Sequence, residues 1–283
     1  MGFCELTAEG VARAVEECIP VIATQLRPDV LAAIVAARET ETDERARSVL
    51  DMMIENDRIA RTDHVPLCQD TGSVWVYLEV GEGEAVPGDI FSLVDEAVGR
   101  AYRSARLRMS LLRDAHVDRT NTATNAPAFT ELAFRPGTGA TLHVMLKGGG
   151  SDNASRVVML PPGAGLEGIR EAVLSCVIEK GSAACPPLII GLGVGATFDK
   201  VAGLAKKALL RPVGTPHPDA RVAEIEQGLL ELINATGVGP AGLGGDTTAL
   251  AVNMKTAPCH IAALPLAINM GCSAMRSISM ELE

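Results

Sequence analysis

The chain has 283 residues, 47% of them hydrophobic, which is enough apolar material for a substantial core and too much for a disordered polypeptide. A formal net charge of -10, with no Lys/Arg run interleaved with aromatic residues, argues against nucleic acid as a partner. Aromatic residues make up only 3% while glycine numbers 28 and proline 16, so the core must rest on Ala, Val, Leu and Ile between many glycine-punctuated turns.

From Thr7 to Arg61 the apolar spacing is helical, with faces at Val11, Val15, Cys18 and Ile19, at Val30, Leu31, Ile34 and Val35, and at Val49, Leu50, Met53 and Ile54. Three helices are predicted, with Pro20 and Pro28 punctuating the first break. A Pro/Gly-bounded loop, Pro66 to Gly72, feeds a strand from Val74 to Val80, and a turn covers Gly81 to Gly88. Asp89 is placed to cap a helix reaching about Arg106. Beyond a polar Asn/Thr stretch, Phe129–Phe134 and Thr141–Leu146 read as strands paired across Arg135–Gly139. Ser151 begins a loop, followed by a short strand at Arg156–Leu160. Then come helix Leu166–Glu179, strand Leu188–Leu192, helices Thr197–Leu210 and Asp219–Ala235, and strands at Ala249–Asn253 and Ile261–Ile268.

Alternation of this kind predicts a mixed α/β fold, with N-terminal helices followed by alternating strands and helices packed on a sheet. No repeat of fixed period and no flexible linker appears, so residues 1–283 are read as one domain with room for two lobes. The longest run without charged residues, Thr256 to Met275, has the length of a membrane span, but Pro258, Pro265, His260 and Asn269 make it buried strand and loop. The N-terminus has neither a charged-then-apolar signal pattern nor the Ser/Thr at position 6 that myristoylation needs. A cytoplasmic protein with no membrane contact is expected.

Without a secretory signal, seven cysteines read as reduced thiols free to bind metal. Cys18 and Cys176 lie on helical apolar faces and Cys4 near a terminus, whereas Cys68, Cys185, Cys259 and Cys272 stand among backbone breakers. No C-x-x-C pair exists, so any metal site must be assembled from distant segments. The residues alone do not choose among the four.

Lys147-Gly148-Gly149-Gly150-Ser151 lacks the spacing of a phosphate-binding loop. Gly191-Leu192-Gly193-Val194-Gly195-Ala196 follows a strand and fits G-x-G-x-x-A, leaving an NADP-binding oxidoreductase as a rival reading. The acidic residue expected about 20 positions on is absent, and close strand–helix packing is the plainer account. Taken singly, His260 reads as a core histidine, and Asp70 and Arg108 as surface charges.

Six strings in order, PLCQDTG at 66–72, KGGGS at 147–151, AACPP at 183–187, AKKALLR at 205–211, GLGGD at 242–246 and GCSAMR at 271–276, together resemble the class I fumarase family, which includes tartrate dehydratase. The resemblance spans nearly the whole chain. It implies an oxygen-sensitive [4Fe-4S] cluster held by Cys68, Cys185 and Cys272, with the fourth iron open to substrate as a Lewis acid. It further implies that Gln69 faces substrate, that Asp70 protonates the departing hydroxyl and that Arg108 binds a carboxylate, a task suited to a bidentate guanidinium. Gly150 would let substrate approach the main chain, and His260, twelve residues before Cys272, falls at a substrate-contact position.

The resemblance implies a small dicarboxylate substrate, with the fumarate/malate pair first and tartrate as the alternative. Single-chain members of the family continue into a second domain that supplies the base for the C3 proton, and this chain ends at Glu283. The expectation is a separate β subunit that completes the active site in an (αβ)2 hetero-oligomer.

Overall fold

The computed structural model describes residues 5–282; Cys4 lies outside them. Helices α1 (Ala8–Thr24), α2 (Pro28–Thr40) and α3 (Glu44–Asp63) open the chain. Thr7 caps α1, its hydroxyl accepting from Gly10 N–H at 3.0 Å. Pro20 lies inside α1 rather than ending it, and the break falls before Pro28, the first residue of α2, where a missing N–H costs nothing. Strand β1 (Ser73–Gly81) follows, then α4 (Val94–Ser104). Asp89 caps no helix: hydrogen-bonded turns occupy 88–93 and α4 starts later than its apolar face suggested.

The chain continues through β2 (Phe129–Arg135), β3 (Ala140–Lys147), α5 (Gly149–Asn153) and β4 (Arg156–Leu160). The loop predicted from Ser151 is therefore partly the short α5. After α6 (Gly165–Lys180) and β5 (Leu188–Ala196) come α7 (Phe198–Ala208), α8 (Ala220–Asn234), β6 (Ala249–Cys259), β7 (Leu264–Gly271) and β8 (Arg276–Leu282). Strand β6 runs six residues past its predicted end at Asn253, so Cys259 belongs to a strand end and not to a loop, and Ile261 sits in the turn before β7.

The described residues form two compact units: one holds the chain up to Arg27, Asp57–Gly149 and everything from Arg276, and the other holds Pro28–Asn56 and Gly150–Met275. In the first, the strand order is β2-β1-β3-β8, with β2 parallel to β1 and the remaining pairs antiparallel. Strands β2 and β3 are thus not a hairpin, because β1 lies between them. A parallel pair needs a long crossover, and α4 with the stretch up to Ala128 supplies it. Val74, Val76, Leu78 and Val80 of β1 meet Val11, Val15 and Ile19 of α1 and Val94, Val98 and Ala101 of α4 in one fully buried cluster. By length and composition alone Ala8–Thr40 could cross a membrane, yet α1 spends its apolar face on this core.

The second unit's sheet has the order β4-β7-β5-β6, with β5 parallel to β6 and antiparallel to β7. Leu188, Ile190, Leu192, Leu266, Ile268 and Met270 build its core with Val173 and Val177 of α6 and Leu229 and Ile233 of α8. Gly191 and Gly193 sit within β5, not in a loop after it. A Cβ on Gly191 would stand 2.2 Å from the Ala205 carbonyl oxygen, and one on Gly193 2.4 Å from that of Val201. The G-x-G-x-x-A string is therefore a close-packing device between β5 and α7, and the dinucleotide reading falls.

Candidate active site

In the first unit, the loop before β1 is pinned at Leu67, whose N–H donates to the Ala23 carbonyl at 2.9 Å. This leaves Cys68 half-buried and Gln69 exposed. Asp70 is held from two sides: one carboxylate oxygen accepts from Gly72 N–H at 3.0 Å and the other from Gly149 N–H at 2.8 Å. Gly72 adopts φ +78°, and a Cβ there would stand 2.8 Å from the Lys147 main chain, so only glycine makes this turn. A Cβ on Gly148 would stand 3.1 Å from an Asp70 carboxylate oxygen. The glycines of KGGGS are thus the floor on which Asp70 rests.

Arg108 lies over this loop, its guanidinium 3.6 Å from Asp70 Oδ1 and donating to Gln69 Oε1. Its side chain remains 54% exposed, so it is still open to a carboxylate from solvent. Its main chain is fixed by Thr71, whose hydroxyl donates to the Arg108 carbonyl at 2.5 Å. Two buried residues brace the same turn: Tyr102 donates to the Thr71 and Gly72 carbonyls at 2.9 and 3.1 Å, and Asn125 to that of Gly72 at 3.0 Å. Burial pushes the Tyr102 phenol well above its ordinary range, so it stays a neutral donor.

Sequence reasoning passed over Arg276, which is 2% exposed and donates through Nη1 to the Asp70 carbonyl at 2.7 Å. Its Nε finds no hydrogen-bond partner among the described residues. The only sequence signal for it was its place at the end of GCSAMR. Gln69, Asp70, Arg108 and Arg276 are brought together with Cys68 within one unit.

In the second unit, Cys185 is exposed and left-handed at φ +57°, ending the short turn Gly181–Ala184. Its carbonyl accepts from Ser273 N–H at 3.0 Å. The register explains this contact: Ile189 of β5 faces Gly271 of β7, so the chain entering β5 and the chain leaving β7 meet at one end of the sheet. The Cys185 and half-buried Cys272 loops are therefore neighbours. The GLGGD string braces them, since Ala241 N–H donates to the Pro186 carbonyl at 2.8 Å and a Cβ on Gly242 would stand 2.7 Å from Ser182. That string is anchored by buried Glu41, which accepts from Asp246 N–H at 2.9 Å and Thr247 N–H at 3.1 Å. Gly150 is exposed, and a Cβ on it would stand 3.4 Å from the Ala183 carbonyl, beside the Cys185 loop.

Cys259 pairs in register with Ala196 at the far end of β5. The length of β5, roughly 26 Å at about 3.3 Å per residue, separates it from Cys185 and Cys272. His260, exposed and next in sequence, shares that far end, where its Nδ1 accepts from Ala262 N–H at 3.1 Å. The structure thus does not bring His260 to Cys185 and Cys272.

The thiols sort by environment. Burial pushes Cys18 up to about 12 and raises Cys176, which suits packing and opposes the thiolate that a metal needs. Cys68, Cys185 and Cys272 stand half-buried or exposed on loops, and an all-thiol donor set is the kind that iron–sulfur clusters take. Among the described residues no group of three or more His, Cys, Asp and Glu side chains is gathered to hold a single metal ion.

Comparison with known proteins gives a match to the family model described as fumarate hydratase (Fumerase) over residues 12–281. A Methanocaldococcus jannaschii protein that carries the provisional name L(+)-tartrate dehydratase subunit alpha is 38% identical over 261 residues, 90% of this chain and 91% of that one. The L(+)-tartrate dehydratase subunit alpha of Escherichia coli strain UTI89 is 31% identical over 257 residues, 90% of this chain and 85% of its own length.

Proposed function

This chain belongs to the fumarate hydratase (Fumerase) family and is a hydro-lyase; on that premise we propose that it is the cluster-carrying α subunit of an iron–sulfur enzyme that reversibly hydrates fumarate to malate. The observation that carries the reading is the Ser273 N–H to Cys185 carbonyl bond, which joins two of the three cysteine loops at one end of the β5–β7 pair. In this scheme Cys68, Cys185 and Cys272 hold a [4Fe-4S] cluster. When bound, that cluster supplies an iron without a cysteine ligand, a Lewis acid for a substrate hydroxyl and its adjacent carboxylate.

The chain's own residues bind and move the proton. Arg108 takes a substrate carboxylate, Gln69 orients it, and Gly150 leaves room for it against the main chain. Asp70, fixed by Gly72 and Gly149, gives its proton to the departing hydroxyl, which leaves as water. The C3–H electron pair then becomes the double bond as a base from a second, β subunit takes the C3 proton. The relatives named "subunit alpha" support such a partner, and the assembly is read as (αβ)2 in the cytoplasm. His260 stays in this scheme as a substrate contact on the strength of the family resemblance, while a strand's length separates it from Cys185 and Cys272 within this chain.

L-tartrate dehydration is the second reading, favoured by the names of the relatives. It uses the same residues on a substrate with one more hydroxyl. Anaerobic reconstitution followed by iron and sulfide analysis tests the ligands: Cys68→Ser, Cys185→Ser and Cys272→Ser should each lose the four-iron spectrum, and Cys259→Ser should keep it. The opposite pattern at 259 and 272 would overturn the assignment. Assaying the reconstituted pair with malate and both tartrate enantiomers then decides the substrate.

A further inference from the structure

Among the described residues, strand β2 is an edge of its sheet, paired with β1 alone. Edge strands in soluble proteins are normally blunted, because their outward main-chain groups can pair with another chain. This one carries Phe129, Leu132 and Phe134 at 52%, 38% and 63% exposure. Its outward groups can be identified. The Arg135 carbonyl accepts from Glu82 N–H at 3.1 Å, on the β1 side, so alternation turns the main-chain groups of Leu132 and Phe134 away from the sheet.

The sequence of this edge is self-complementary. If two copies meet antiparallel about Ala133, Leu132 and Phe134 fall opposite each other and can exchange both main-chain hydrogen bonds, while Glu131 falls opposite Arg135 twice. The Glu131–Arg135 pairs occupy the closely spaced non-hydrogen-bonded positions. They lie on the face of Tyr77, its register partner being Glu131, and the Leu132–Phe134 pairs lie on the face of Leu78 and Val80. Charge meets charge on one face and apolar side chains meet on the other, under a single two-fold axis.

We propose that β2 is a dimerisation edge whose occupant is β2 of a second copy of this chain, joining two four-stranded sheets into one. It is independent of the hydro-lyase reading, since a monomeric chain could still be an α subunit. Within an (αβ)2 assembly it would be the contact between α subunits.

The test is sedimentation velocity and native mass spectrometry on the full chain over a concentration series. Wild type should dimerise. Glu131→Arg and Arg135→Glu, each placing like charges opposite twice, should weaken the dimer roughly tenfold or more. The double variant Glu131→Arg/Arg135→Glu reverses both signs and should restore wild-type association, which also separates lost pairing from lost folding. A chain monomeric throughout, a dimer indifferent to both single changes, or a double variant no better than the singles would overturn the proposal. So would an edge at which these substitutions impair only association with the β subunit.

Discussion

Asp70 owes its orientation to main-chain N–H groups and a buried arginine, so its surroundings are part of its chemistry. Arg276 reaches its carbonyl from a strand more than two hundred residues away, and its burial makes that bond costly to lose. Arg276→Gln should lower the denaturant midpoint by an amount corresponding to about 1.5–3 kcal/mol, the range for a hydrogen bond to a charged group. An unchanged midpoint would show the contact to be idle. Cys68, Gln69 and Asp70 were singled out because one short string that resembles the family carries all three. Arg276 was not, since an arginine after Ala-Met reads as surface and only long-range burial marks it. Asn125 was hidden in the same way, inside a polar stretch that resembles ordinary loop.

Among the elements, pattern reading located most helices and strands but misjudged what pairs with what. The β2–β3 hairpin was expected because two strands flank a Pro/Gly turn, and nothing local announces that β1 takes the middle place. Topology also separated Cys272 from Cys259, which local context had left open. The glycines of β5 make a sharp test. Gly191→Ala should cost about 3 kcal/mol, as an overpacked core does, because the added methyl meets the α7 main chain, which cannot rotate away. Chemical denaturation that finds Gly191→Ala as stable as wild type would refute the packing account. A second element-level prediction concerns pH. Asp219 caps α8 and is lowered to about 2 from an ordinary 3.8, first by its hydrogen bond with the Arg221 side chain and then by Arg221 N–H. Its charged form favours the fold, so the contribution is complete above pH 4 and lost as pH falls through 2. Asp219→Ala should therefore melt below wild type at neutral pH, with the gap closing towards pH 2; a gap that persists in acid would assign the loss to another cause.

At the scale of the whole molecule, the chain crosses between its two units at 27/28, 56/57, 149/150 and 275/276. No linker composition marks these crossings, which is why the sequence reads as continuous. Cys68, Asp70 and Arg108 belong to one unit and Cys185 and Cys272 to the other, and in the proposed scheme the base for the C3 proton comes from a second chain. The reconstituted chain alone should therefore show no fumarate hydration, and measurable turnover in a coupled malate assay would remove the need for a β subunit. The left-handed main chain at Cys185 sets the demands of folding against those of catalysis. A non-glycine residue in that conformation costs about 1 kcal/mol or more. Cys185→Gly should thus raise the thermal midpoint of the cluster-free chain while abolishing cluster uptake. A library of variants selected only for soluble expression should accumulate glycine at this position, and one selected for turnover should purge it.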